Sequence, residues 1–217
     1  PSDREVGCDD LAGLALRDTL TLQARFGQAT ASDNCRAWTR ELETVLAFDD
    51  CGIGLITRRF QAVDASGNLS AVRQQHIQVS ARHDYVLRFP ADAEIRQCRP
   101  TAADSLRYET NACDFLAINV EEETFREEGG ACRRIFRTYR IINWCEYDNE
   151  SDPVVIGRRE DEAAPPGTAV YLLRRPDGVF IDNNEDPADG VLREVPSTGY
   201  WQYTQIIDFH DDEGPLV

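Results

Sequence analysis

The stretch RRFQAVDASGN, Arg58 to Asn68, is written a second time as RTYRIINWCEYDN, and that repetition limits the fold more than any other feature. Placing Ser66 on Cys145 without a gap puts Arg58 on Arg137, Phe60 on Tyr139, Ala62 on Ile141, Val63 on Ile142 and Asp64 on Asn143. The match continues on both sides. Cys51 and Cys132 each precede the strand, SDNC ending at Cys35 answers TNAC ending at Cys113, and PSDREVGC ending at Cys8 answers PADAEIRQC ending at Cys98. Downstream, QHIQV (Gln75, Ile77, Val79) answers QIIDF (Gln205, Ile207, Phe209). Landmarks in one order, twice, define a tandem repeat. The chain therefore reads as two domains, residues 1–80 and 84–217, the second carrying an insertion at about 149–198.

Short β-branched or aromatic runs dominate both copies. TRRFQAV, RQQHIQV, DYVLRF, RIFRTYRII, AVYLLR and YWQYTQIIDF mostly alternate, and DASGN, EEGG, RRPDG and PADG punctuate them as turns. No segment carries a long helical period; DDLAGLAL is expected to make a turn or two. The pattern is all-β, of the sandwich kind. Within the insertion, AVYLLRRPDGVFID reads as a hairpin turned at Pro176-Asp177-Gly178, free to meet a neighbouring domain or chain. GYWQYTQIIDF reads as a core edge strand with Tyr200, Gln202 and Thr204 facing out. Exposed aromatics would suit contact with another subunit.

Charge narrows the partners. The net charge is −16, which argues against nucleic acid and anionic membranes, since both need a basic face. All 23 basic residues are arginine, suited to forked pairing with carboxylates. No apolar run approaches the roughly 18 residues that span a bilayer. The N-terminus has no signal segment, so the chain is expected to be a mature or excised piece of a longer array. Seven cysteines without a CxxC pair point to disulfides in an oxidising compartment, with one cysteine left over.

With the starts PSDREVGC and PADAEIRQC, the mid-domain SDNC, the strand ITRRFQAVDASGN and the closing QHIQV on the page, the chain resembles the immunoglobulin-like HYR-type repeats of giant secreted proteins of Bacteroidota. The second copy is similar to a variant with RTYRIINWCEYD, a variable excursion, then GYWQYTQII. The resemblance spans nearly all of the chain except the insertion, and Ser66 departs from it, because such repeats carry cysteine before the glycine. It implies an extracellular surface or filament protein exported by the type IX route, with neighbouring repeats or identical subunits as partners and no catalytic residues. An adhesive module that binds a glycan or surface protein through the insertion hairpin is the second expectation.

Cysteine pairing follows from the repeat. Cys113–Cys132 and Cys98–Cys145 are expected in the second domain and Cys35–Cys51 in the first; the partner of Cys8 then falls on Ser66, which makes Cys8 the free thiol. No other cofactor is expected, apart from calcium in DNNEDPADG. There Asp182, Asn184, Asp186 and Asp189 approach the alternation of a calcium loop but lack its glycine and final glutamate. DTL and DSL offer Thr19 and Ser105 as O-glycan acceptors. The histidines His76, His83 and His210 have no nucleophile at a recognisable spacing, and no catalytic motif stands out.

Overall fold

The computed structural model describes residues 1–96, 105–126, 133–156, 170–174, 179–185 and 192–210. The chain divides into two compact units, Pro1–His83 and Asp84–Val217, and both are built mainly of strands.

In the first unit, β1 (Arg4–Gly7), β2 (Ala37–Phe48), β3 (Gly54–Asp64) and β4 (Arg73–Ser80) form one sheet in the order β1-β4-β3-β2. Alternation along β3 and β4 sends Ile56, Arg58 and Phe60, with Gln75, Ile77 and Val79, to one buried face. A 3-10 turn, Cys8–Leu11, and helix α1 (Thr19–Phe26) follow β1. The turn falls where DDLAGLAL suggested one, but the helix was not expected. Its signals are local: Asp18 caps it by accepting from the Thr21 N–H at 2.9 Å. Leu22 and Phe26, four apart and so on one face, are buried. Gly27 at φ 93° ends it. Eight residues do not hold a helix in water by themselves, so burial of Leu22 and Phe26 maintains this one.

In the second unit, β8 (Leu116–Arg126) and β9 (Arg133–Asn143) are antiparallel neighbours, and β14 (Tyr200–Phe209) lies beyond β9. Two short strands, β6 (Ala93–Ile95) and β10 (Val154–Val155), run parallel to β14 on its far side. The expected edge position of GYWQYTQIIDF is thus corrected: β14 is flanked on both sides. Its outward face is as read, since Tyr200, Gln202 and Thr204 are half-buried while Trp201, Tyr203 and Gln205 are buried.

The insertion is also corrected. Its strands β11 (Val170–Arg174), β12 (Phe180–Glu185) and β13 (Leu192–Val195) join β5 (Val86–Phe89) and β7 (Arg107–Glu109) in a second sheet, ordered β13-β12-β11-β5-β7. Tyr85, Leu87, Phe89, Leu172, Phe180 and Val195 then share one core with Tyr139, Ile141, Trp201 and Tyr203. Free backbone edges and apolar side chains drive this recruitment, because an excursion left in solvent would waste both. The hairpin is therefore half of a two-sheet core, not an appendage.

Candidate functional site

The same polar clamp occurs in both units, and it ties a short strand near the start of each unit to the last strand. In the first unit Arg58 and Gln75 stand opposite each other on β3 and β4. Arg58 is wholly buried and forks onto Glu41, donating from Nε at 3.0 Å and Nη2 at 2.8 Å. Its Nη1 donates to Gln75 Oε1 and to the Gly27 carbonyl, each at 2.9 Å. Gln75 Nε2 in turn donates to the Ser2 carbonyl at 2.7 Å and the Phe26 carbonyl at 3.1 Å. The unsatisfied carbonyls at the end of α1 thus find donors on the sheet. Next along, Asp3 Oδ1 accepts from the His76 N–H at 2.7 Å, and β1 then runs parallel to β4 from Arg4 opposite Ile77.

The second unit repeats the Arg–Gln–Asp part of this clamp. Arg137 faces Gln205 across β9 and β14, and donates to it at 3.5 Å. Gln205 Nε2 donates to the Ala91 carbonyl at 2.6 Å, and Asp92 Oδ1 accepts from the Ile206 N–H at 2.8 Å. β6 then runs parallel to β14 from Ala93 opposite Ile207. The acid moves: Arg137 donates to Glu122 at 2.6 Å, on a strand without the bulge that β2 has between Glu41 and Glu43, and the bonds to the α1 carbonyls belong to the first unit. Burial of Glu41 raises its pKa, but hydrogen bonds from Arg58 and Thr44 outweigh that and hold the carboxyl below its usual value.

The repeated turns agree as well. Asp64 Oδ1 accepts from the Ser66 and Asn68 N–H groups, and Asn143 Oδ1 accepts from the Cys145 N–H at 3.2 Å. Ala65 N–H donates to the Arg36 carbonyl just as Trp144 N–H donates to that of Phe115. Ala37 faces Asp64, and Leu116 faces Asn143. That register sets Asn34, not Cys35, on Cys113, and the cysteine scheme changes with it. Cys35 is an exposed free thiol, whereas Cys8, expected to be free, is disulfide-bonded, as are Cys51, Cys113 and Cys145. A Cys35–Cys51 bridge is thereby excluded. The reason is the one-position shift: Cys35 lies beside the place that a cysteine matching Cys113 would take, and Ser66 holds the place matching Cys145. Cys98 and Cys132 lie outside the described residues.

The remaining expected sites are dispersed. Asp182 and Asn184 lie on strand β12, with Asp182 opposite Leu172, while Asp186 and Asp189 lie outside the described residues. Among the described residues no group of His, Cys, Asp and Glu is placed to hold a metal ion. Thr19 is exposed at the start of α1, and Ser105 is exposed just before β7. His76 Nδ1 lies 3.8 Å from Asp3. The second unit also buries Tyr85, whose hydroxyl donates to Glu146 at 2.8 Å and accepts from the Trp201 indole at 2.6 Å. Burial, reinforced by the Glu146 charge, pushes its pKa far up, so this hydroxyl serves as a fixed donor. Among the described residues, no helix is long and apolar enough to cross a membrane. No family model, curated protein or solved structure matches the chain.

Proposed function

We propose that the chain is a tension-bearing structural module of an extracellular filament or giant surface adhesin, built from two immunoglobulin-like repeats without catalytic activity. The observation that carries this proposal is the parallel seam. β1 and β4 are the first and last strands of their unit and run in the same direction. A pull on the two ends of that unit drags β1 one way and β4 the other, so the hydrogen bonds across the seam are loaded together rather than one by one. Gln75 and Asp3 lengthen the seam by side-chain bonds, and Gln205 and Asp92 do the same beside β6 and β14. Bonded cysteines suit an oxidising, extracellular setting.

Single-molecule extension of the full chain through its termini tests this. Both units are expected to resist as discrete high-force events, and Gln75→Leu with Asp3→Ala should lower only the event of the first unit. Extension at forces typical of unzipped hairpins, unchanged by those substitutions, would remove the tension-bearing role.

A further inference from the structure

We propose that the free edge of β8 pairs with the free edge of β2 in a second copy of this chain, so that a sheet of one molecule continues into the next. The inference rests on the filament reading above and names its partner. β2 and β8 end separate sheets, and among the described residues each pairs with one strand, β3 and β9 respectively.

A sheet edge presents unpaired N–H and C=O groups, and it is commonly blunted by shortness, a bulge or a proline. β8 has none of these devices. It runs for 11 residues in unbroken register with β9, and every residue from Ile118 to Arg126 is exposed. Its charges select the partner. Glu121 and Glu122 are held by Arg140 and Arg137, but Glu123 has no cationic partner among the described residues.

The edge of β2 supplies the complement. Arg36, just before the strand, and Trp38 and Arg40 within it alternate onto one exposed face. Neither arginine has a carboxylate partner among the described residues; Arg40 donates to Gln61 at 2.8 Å. The bulge between Glu41 and Glu43 confines pairing to the part of β2 before it. An antiparallel register with Arg40 opposite Glu121 sets Trp38 opposite Glu123 and Arg36 opposite Phe125. Glu123 then lies diagonal to both arginines, and the half-exposed rings of Trp38 and Phe125 are diagonal neighbours. On the other face Thr39 meets Glu122 and Glu41 meets Val120, so no like charges stand opposed. A second β8 is a poorer match. Its one cation, Arg126, alternates onto the face away from Glu123 and leaves that carboxylate without a counter-charge.

β2 and β8 belong to different units, so the contact is heterologous. Each assembly keeps one free β2 and one free β8, and growth continues past a dimer. A strand pairing this short falls below the roughly 1,200 Å² of stable complexes, so association on the order of 100 µM is expected.

Sedimentation velocity of the full chain, carrying Cys35→Ser to prevent thiol cross-links, tests the pairing. Species larger than a dimer should grow with concentration. Arg36→Glu/Arg40→Glu and Glu123→Arg should each weaken association at least tenfold, about 1.4 kcal/mol. Their equimolar mixture should recover it, because opposite charges then meet at every contact between the two variants. Hydrogen exchange should show amides of β8 and of Ala37–Glu41 gaining protection on assembly. A chain that stays monomeric at millimolar concentration overturns the proposal, as does a dimer that grows no further. Variants that assemble alone as the parent does, a mixture that fails to recover, or assembly without that protection also overturn it. Extension is read on single chains, so the tension-bearing role stands or falls by its own test.

Discussion

The two units share a frame and differ in what covers it. In each, two antiparallel strands are joined by a short parallel strand from near the start of the unit, an Arg–Gln pair links them, and an Asp accepts from the backbone of the last strand. The first unit covers the buried face of this frame with an eight-residue helix. The second covers it with a five-stranded sheet, most of it drawn from the insertion. The frame is therefore the part the two units share, and two different covers close it. The depth of the clamp follows from the cover. Arg58 is fully enclosed with Glu41 beneath α1, whereas Arg137 and Glu122 keep 19% and 46% of their side chains exposed.

That difference can be tested by matched substitutions. Arg58→Ala strands Glu41 and Gln75 in the interior and should cost the first unit about 3–5 kcal/mol. Arg137→Ala removes a solvent-screened pair and should cost the second about 1 kcal/mol. Hydrogen exchange in increasing denaturant reads the two units separately; equal losses would show that the covers do not set the depth of the clamp.

The cysteine difference is the next largest. In the unaltered chain a maleimide should label Cys35 and spare Cys8 under native conditions. Asn34→Cys with Ser66→Cys, in a Cys35→Ser background, places cysteines where the second unit has Cys113 and Cys145. Formation of a bridge there would show that these two places pair, and closing a loop of some thirty residues should stabilise the first unit by about 3–4 kcal/mol. Ser66→Cys alone should leave Cys35 reactive, because Cys35 is one position out of register.

Gly54 and Arg133 occupy equivalent places. A Cβ on Gly54 would lie 2.0 Å from the Ala47 carbonyl oxygen, so Gly54→Ala should cost about 1–3 kcal/mol in strain. Arg133→Ala should change stability by less than about 0.5 kcal/mol. Thermal melts of the two variants compare them directly.

Acid should give the smallest contrast. Glu41 has a folded pKa below its ordinary 4.5, so its contribution is complete above that value and is lost as pH falls through the folded pKa. Glu41→Gln should flatten that part of the stability curve in the first unit. A curve that keeps its slope would assign the acid sensitivity to other carboxylates.

Much of the frame was legible because it depends on local alternation and on residues that recur in order. Arg58 and Arg137, Gln75 and Gln205, and the turns at Asp64 and Asn143 all occupy matching places. Helix α1 escaped because its period is brief, although Asp18, Leu22, Phe26 and Gly27 carried its cap, its buried face and its end. The cover of the second unit escaped for a different reason. β11 pairs with β5 across most of the unit, and nothing in AVYLLR names its partner. The cysteine scheme failed because Cys35 and Cys113 were matched by identity, while backbone register follows the strands and sets them one position apart.

The parallel seam also fixes an order of events along the chain. Ser2 and Gln75 are 73 residues apart, and Ala91 and Gln205 are 114 apart. Each doubling of a loop adds only about 0.6 kcal/mol to its closure, so this difference hardly affects equilibrium stability. Its effect is on timing: a chain emerging from its N-terminus has every strand of the first unit once Ser80 appears. The frame of the second unit must wait for β14, its final strand, and until then β9 has an open edge. A chain interrupted before Tyr200 would leave a finished first unit beside a sticky, half-built second one.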